Sequence, residues 1–260
     1  MFPYINIFGK QISLYLIMSM IGMFVAGPFA IKEAKKKGKD ANEILVILLV
    51  SAIGLFLGGH ILYGITNIKT LYALIIHFNR ITSIKQFIDL FIYIFGGQVF
   101  YGGLIGGLIT AYLYMKKKKY NMKLYFDIGA FTTPLFHFFA RIGCFLSGCC
   151  YGLESHIGFM YKHAIVDEAN GVNRFPIQLV ESFYNLLLFI FIYLLYKKNK
   201  LKGNLIYLYL SLYAIARFII EFFRGDSYRG FLFGISTSQI ISILIIIFVI
   251  ANIIIKRFKK

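Results

Sequence analysis

Charge is scarce in this chain. Only 15% of its 260 residues are Asp, Glu, Lys or Arg, and acids are the scarcer sign, 11 against 28 basic residues. No stretch is polar enough for a soluble domain, and neither a low-complexity tract nor a convincing internal repeat is visible. These absences exclude a soluble enzyme core, a disordered tail and a solenoid. No small-residue cleavage site precedes the first lysines, so the first apolar segment reads as a retained span rather than a removed signal peptide.

What is present is apolar: 59% of residues are hydrophobic and 18% aromatic. Windows at 11–30, 44–63, 94–115, 124–146, 178–196, 203–223 and 236–255 each hold about the 20 residues needed to cross a hydrocarbon core of roughly 30 Å. The expectation is an all-α polytopic membrane protein with about seven transmembrane helices, forming a single integral membrane domain over 1–260. Lysine and arginine cluster between windows, at 32–39, 116–123, 197–202 and 256–260. With seven spans these clusters share one side, which puts the N-terminus outside and the C-terminus in the cytoplasm. The net charge of +17 therefore reads as a topology signal that also touches anionic membrane lipids, and nucleic acid is not expected as a partner.

Two longer outer segments remain. Residues 64–93 carry Lys69, Arg80, Lys85 and Asp89 among apolar residues, which suits an amphipathic segment lying in the interface. Residues 151–177 are polar enough for a small extracytoplasmic cap ending near Pro176. The third window, "FGGQVFYGGLIGGLI", is rich in glycine: Gly96, Gly97, Gly102, Gly103, Gly106 and Gly107. Such a surface suits close helix packing, or, beside Tyr101 and a broken helix, backbone N–H groups offered to a ligand. The glycines alone do not decide between the two.

The polar residues inside the windows carry more information. At 1.5 Å per residue, Arg141 lies about 27 Å beyond Lys123, while Arg217 and Tyr101 each lie roughly 22 Å from their nearest lysine cluster. Three spans thus present polar groups at a similar depth, toward the outer leaflet. Arg217, Glu221 and Arg224 follow an i, i+4, i+7 pattern on one helical face. Snorkelling or a lone internal ion pair would account for any single one, but several converging at one level imply a polar cavity. Arginine's planar fork suits phosphate, and a phosphate in the outer leaflet points to a phospholipid head group. The cysteines, Cys144, Cys149 and Cys150, form a C-x4-C-C pattern that matches no recognised zinc spacing. They read as small packing residues, and neither metal nor cofactor is expected. A thiolate beside Arg141 acting as nucleophile is the alternative for them.

Four stretches resemble the bacterial prolipoprotein diacylglyceryl transferases. "FYGGLIGG" (100–107) is similar to the family's His-Gly-Gly-Leu stretch, and "ARIGCFLSGCCYG" (140–152) to its Gly-Arg-x-Gly-Asn-Phe-x-Asn-Gly-Glu signature. "RFPIQLVES" (174–182) is similar to its Pro-x-Gln-x-x-Glu element, and "ARFIIEFFRGD" (216–226) to its Arg-Phe-x-x-Glu-Phe-x-Arg element. The resemblance implies a multi-pass protein of the bacterial cytoplasmic membrane. It also implies transfer of the diacylglyceryl group of phosphatidylglycerol to the lipobox cysteine of a preprolipoprotein, forming a thioether and releasing glycerol phosphate.

Carried over by residue, Arg141, Gly143 and Gly152 match the signature; Arg217, Glu221 and Arg224 match the last element; Gln178 and Glu181 match the third; and Tyr15 matches a tyrosine of the first span. Tyr101 stands where the family usually has histidine, Cys144 and Ser147 where it has asparagines, and Cys149 where it has glutamate. The expected catalytic group is Arg141, Arg217, Tyr101 and Glu221. Tyr15, Gly102, Gly103, Gly143, Cys144, Gly152, Gln178, Glu181 and Arg224 are the expected substrate-binding group. In this reading the two arginines clamp the departing phosphate, and Glu221 orients Arg217 rather than accepting a proton, since a paired carboxylate is a poor base. The rivals are an outer-leaflet lipid or anion transporter, which would normally show paired halves, and a paralogous lipid-group transferase with a different acceptor.

Overall fold

The computed structural model describes residues 1–226, 230–232 and 234–258. In chain order it has a hairpin of β1 (Tyr4–Ile7) and β2 (Lys10–Ser13), then α1 (Leu14–Lys36), α2 (Ala41–Thr66), α3 (Ile68–Ile76), α4 (Ile84–Phe95), α5 (Phe100–Lys117) and α6 (Met122–Ser147). A second hairpin, β3 (Glu154–Met160) with β4 (Asn173–Arg174), precedes α7 (Ile177–Lys197) and α8 (Leu205–Ile220). A 3-10 turn at Glu221–Phe223 follows, then a last hairpin, β5 (Phe231–Leu232) with β6 (Ile235–Ser236), and α9 (Thr237–Phe258). The chain divides into two compact units, Met1–Lys39 with Lys123–Lys260, and Asp40–Met122.

Among the described residues five helices are long and apolar enough to cross a membrane: Leu14–Lys36, Ala41–Thr66, Ile177–Lys197, Leu205–Phe223 and Thr237–Lys256. The pair α4 and α5, bent by 90°, makes a sixth if counted as one span. This corrects the reading of 94–115 as a continuous helix, because the chain breaks between Phe95 and Phe100. The other departure is α6. It has 26 residues, about 39 Å at the helical rise, but Asp127, Thr132, His137 and Arg141 lower its apolar character. Residues 64–93, expected to lie in the interface, hold α3, a 3-10 turn at Phe78–Arg80 and most of α4. Lys259 and Lys260 of the fourth basic cluster lie outside the described residues.

In the unit Asp40–Met122, the Asp40 carboxylate accepts from Asn42 N at 3.0 Å and caps α2. The Ser83 hydroxyl likewise accepts from Gln86 N at 3.2 Å at the start of α4. α2 and α5 then meet almost backbone to backbone. A Cβ added at Gly58 would stand 2.3 Å from Gly102 O, and one at Gly106 would stand 2.2 Å from Gly54 O. Thr110 Oγ1 donates across the same crossing to Val50 O at 3.1 Å. Only glycine permits this approach. The break between α4 and α5 leaves backbone groups needing partners. His60 supplies one: its Nδ1–H donates to Phe95 O at 2.6 Å, and its Nε2 accepts from the Gln98 amide at 3.1 Å. Val99 N donates to Gly59 O at 3.1 Å.

In the other unit, α1 crosses α6 with a glycine from each helix at the contact. A Cβ on Gly22 would meet Phe136 O at 3.0 Å, and one on Gly143 would meet Tyr15 Cα at 3.1 Å. Asp127 ties α6 to the start of α8 by accepting from Gly203 N at 2.5 Å and Leu205 N at 2.9 Å. Ser182 on α7 donates to Phe138 O of α6 at 2.9 Å, and Tyr184 to Leu212 O of α8 at 2.7 Å.

The segment 151–177 has its own small core of Tyr151, Tyr161, Ala164 and Ala169. The Arg174 guanidinium lies 4.3 Å from the centre of the Tyr151 ring and donates to Glu168 O at 2.6 Å.

Candidate functional site

Buried charged side chains of α6, α7 and α8 form one network, and Glu181 on α7 is its hub. One of its oxygens pairs with Arg141 Nε, and the other accepts from Arg217 Nη1 at 2.6 Å. Arg217 Nη2 reaches Glu221 Oε2 at 2.8 Å, one turn along the same face, and Ser238 Oγ at 3.4 Å. Arg141 Nε–H also faces His137 Nε2 at 3.2 Å, one turn earlier on α6. All these side chains except Ser238 are buried, Glu181 to 4% exposure and Arg141 to 6%. Two guanidiniums thus balance two carboxylates, as buried charges require. Glu181 and His137 both meet Arg141 at Nε, which leaves its Nη fork without a protein partner among the described residues.

Arg224 belongs to a separate pair. Its Nε and Nη2 both donate to the buried Asp226 carboxylate, at 2.9 and 2.5 Å. Its backbone bridges Gly152, and a Cβ on Gly152 would sit 2.3 Å from Phe175 O. The stretch 151–153 is threaded between two strands of chain, with Leu153 N donating to Phe223 O and Gly225 N to Tyr151 O, each at 3.0 Å. Gln178 is fully buried with both ends of its amide engaged. Its Nε2 donates to Cys149 O at 2.8 Å, and its Oε1 accepts from Tyr161 Oη at 3.0 Å. Burial pushes the Tyr161 phenol up to about 12. Cys144, near the end of α6, is buried, and its sulfur lies within 4.8 Å of those of Cys149 and Cys150.

The expected residues therefore sort by place. Arg141, Glu181, Arg217 and Glu221 are brought together, with Glu181 bridging the arginines where the sequence pointed to Glu221 as the orienting carboxylate. Gly143 serves the α1–α6 crossing beside Tyr15, a residue that is 41% exposed. Tyr101, Gly102 and Gly103 are buried on α5 in the other unit. Both glycines face α2 there, a Cβ on Gly103 meeting Leu55 O at 3.0 Å. His137 and Asp226 were missed. The i, i+4 spacing of His137 to Arg141 was available as a signal, and Asp226 lay in the quoted "RGD".

Comparison with known proteins addresses the same residues. The model of the prolipoprotein diacylglyceryl transferase family matches residues 3–255. The chain belongs to that family. A phosphatidylglycerol–prolipoprotein diacylglyceryl transferase of Clostridium tetani is 36% identical over 257 residues, covering 98% of this chain and 97% of its own. One from Clostridium perfringens is 35% identical, covering 93% and 90%, and one from Campylobacter jejuni is 33% identical, covering 98% and 93%. Family membership thus extends over both units and is not confined to the charged one.

Proposed function

We propose that this chain transfers the diacylglyceryl group of phosphatidylglycerol to the lipobox cysteine of a preprolipoprotein. In the reaction the acceptor sulfur forms a bond to the glyceryl carbon as that carbon's bond to phosphate oxygen breaks. The thiol proton is lost and glycerol phosphate departs. The observation that carries the reading is the open Nη fork of Arg141, buried and held by Glu181. A guanidinium fixed at Nε still offers its two outer nitrogens to two phosphate oxygens. Charge grows on the leaving oxygen in the transition state, where a preorganised donor in a dry site acts most strongly.

Arg217, bound to both Glu181 and Glu221, lies on the same network and completes the clamp. Because the network is electrically balanced, it recognises phosphate through aimed N–H groups rather than excess positive charge. Tyr101 takes the place of the family's usual histidine. Its phenol is too weak a base at neutral pH to accept the thiol proton. Tyr15, Gln178, Arg224 and the turn around Gly152 bound the lipid site.

The protein works in the bacterial cytoplasmic membrane as one integral domain. α6 and the bent pair α4–α5 each count as one crossing, giving seven crossings with the N-terminus outside and the lysine clusters inside. Residues 64–93 lie at the outer interface and 151–177 form the outer cap.

Purified protein incubated with phosphatidylglycerol and a lipobox peptide should yield a thioether-linked diacylglyceryl adduct by mass spectrometry. No adduct under conditions where an established relative forms one would refute the transferase reading. Adduct formation only on a different acceptor would favour the paralogous one.

A further inference from the structure

Among the described residues the three cysteines are the one group of His, Cys, Asp or Glu side chains close enough together to hold a metal ion. They come together through the way α6 ends. Beyond Ser147 the chain turns back, with Gly148 at φ +74° and Cys150 at φ +55°. Gly148 N donates to Phe145 O and Cys149 N to Cys144 O, each at 3.2 Å. Gln178 fixes the turn from α7 through its 2.8 Å bond to Cys149 O. Three sulfurs spread over C-x4-C-C thereby lie within 4.8 Å of one another. The left-handed position at 150 is one that glycine or asparagine fills with less strain.

We propose that Cys144, Cys149 and Cys150 form a binding site for one soft d10 cation, of the Zn(II) or Cu(I) type. Sulfurs about 2.3 Å from a common ion stand about 4 Å apart, so small side-chain rotations close the observed triangle around a metal. Thiolates select these ions over hard cations. Binding releases the thiol protons to solvent. No fourth His, Cys, Asp or Glu joins the group among the described residues. Three-coordinate Cu(I) would therefore be fully ligated, whereas Zn(II) would keep one position for water or another ligand.

The test reads binding rather than turnover, so it stands or falls independently of the transferase reading. Full-length protein, reduced and kept free of oxygen in detergent, is titrated with Zn(II) and with Cu(I), each against a chromophoric chelator. Co(II) serves as the spectroscopic substitute for zinc. The expectation is one ion per chain for at least one cation. If zinc is that cation, Co(II) should show sulfur-to-metal charge-transfer absorption. Cys149→Ser or Cys150→Ser should weaken binding by more than the ~10–100-fold typical of losing an outer partner of a metal ligand. In the unmutated protein, reversible thiomethylation should abolish binding and reduction should restore it, which keeps the test sound if a variant misfolds. The site is refuted if neither cation binds stoichiometrically, or if binding survives thiol blocking or the Cys149→Ser/Cys150→Ser pair.

Discussion

Where α2 meets α5, the backbones touch: Gly54 and Gly58 face Gly102 and Gly106, and the place of a side chain is taken by a carbonyl of the partner helix. Where α6, α7 and α8 meet, long side chains span the distance, and Glu181 joins Arg141 to Arg217. Both solve the same problem, since helices in lipid gain little from hydrophobic burial against one another and need close packing or polar links to associate. The glycine seam gives association without chemistry. The ion-pair network gives association and, in the proposed function, sets the fork of Arg141 to receive a phosphate. Breaking each region should therefore produce a different pattern of loss.

The largest expected effect is at the hub. Glu181→Gln keeps the shape but leaves two buried guanidiniums sharing one carboxylate, and breaking a buried pair this way costs about 3–5 kcal/mol. Thermal unfolding should show the loss, and turnover should fall with it because both arginines lose their anchor. Glu221→Gln, which loosens Arg217 alone, should cost less on both counts.

Arg141→Lys separates chemistry from stability. Lysine retains the charge facing Glu181 but has no planar fork. Turnover should drop by roughly 100-fold to 1000-fold, the loss of about 3–4 kcal/mol of transition-state stabilisation. The melting temperature should fall less than in Glu181→Gln. Near-parental turnover, or a rate loss fully matched by lost stability, would remove Arg141 from the mechanism.

At the seam the pattern should reverse. Gly106→Ala places a methyl 2.2 Å from Gly54 O, and overpacking of this kind costs about 1–3 kcal/mol. Hydrogen exchange should quicken in α2 and α5, while the helices of the charged unit keep their protection. Equal loosening of α6, α7 and α8 would show that the seam and the network do not fail separately.

Much of this contrast was legible in the sequence, for reasons that differ by residue. Apolar windows revealed α1, α2, α7, α8 and α9 because long apolar runs have few other uses. The break before α5 was suggested only as one of two readings of the paired glycines, since apolar composition continues through it and its partners, His60 and Gly59, lie on α2. Arg141 and Arg217 stood out as costly charges. The role of Glu181 did not, because an ion pair between three helices leaves no spacing pattern within any one of them. The cysteine triangle depends on two positive-φ residues, Gly148 and Cys150, of which only the glycine is suggestive in sequence.

The smallest effect tests whether glycine carries the same meaning in both regions. Gly129 lies within α6, in the charged unit, and a Cβ built there meets nothing within 4 Å. Gly106 is equally helical, but its missing side chain is what lets two backbones approach. If glycine is present at 129 only by tolerance, Gly129→Ala should be neutral or should stabilise by up to about 1 kcal/mol, the helix-propensity difference between the two residues. Turnover should not change, because Arg141 and His137 lie further along the same helix and do not contact that surface. The same substitution at Gly106 should go the other way. Measured side by side, opposite signs at the two positions would confirm that the seam alone is built on the absence of side chains. A loss of stability at Gly129 comparable to that at Gly106 would mean that α6 also relies on a close approach at that point.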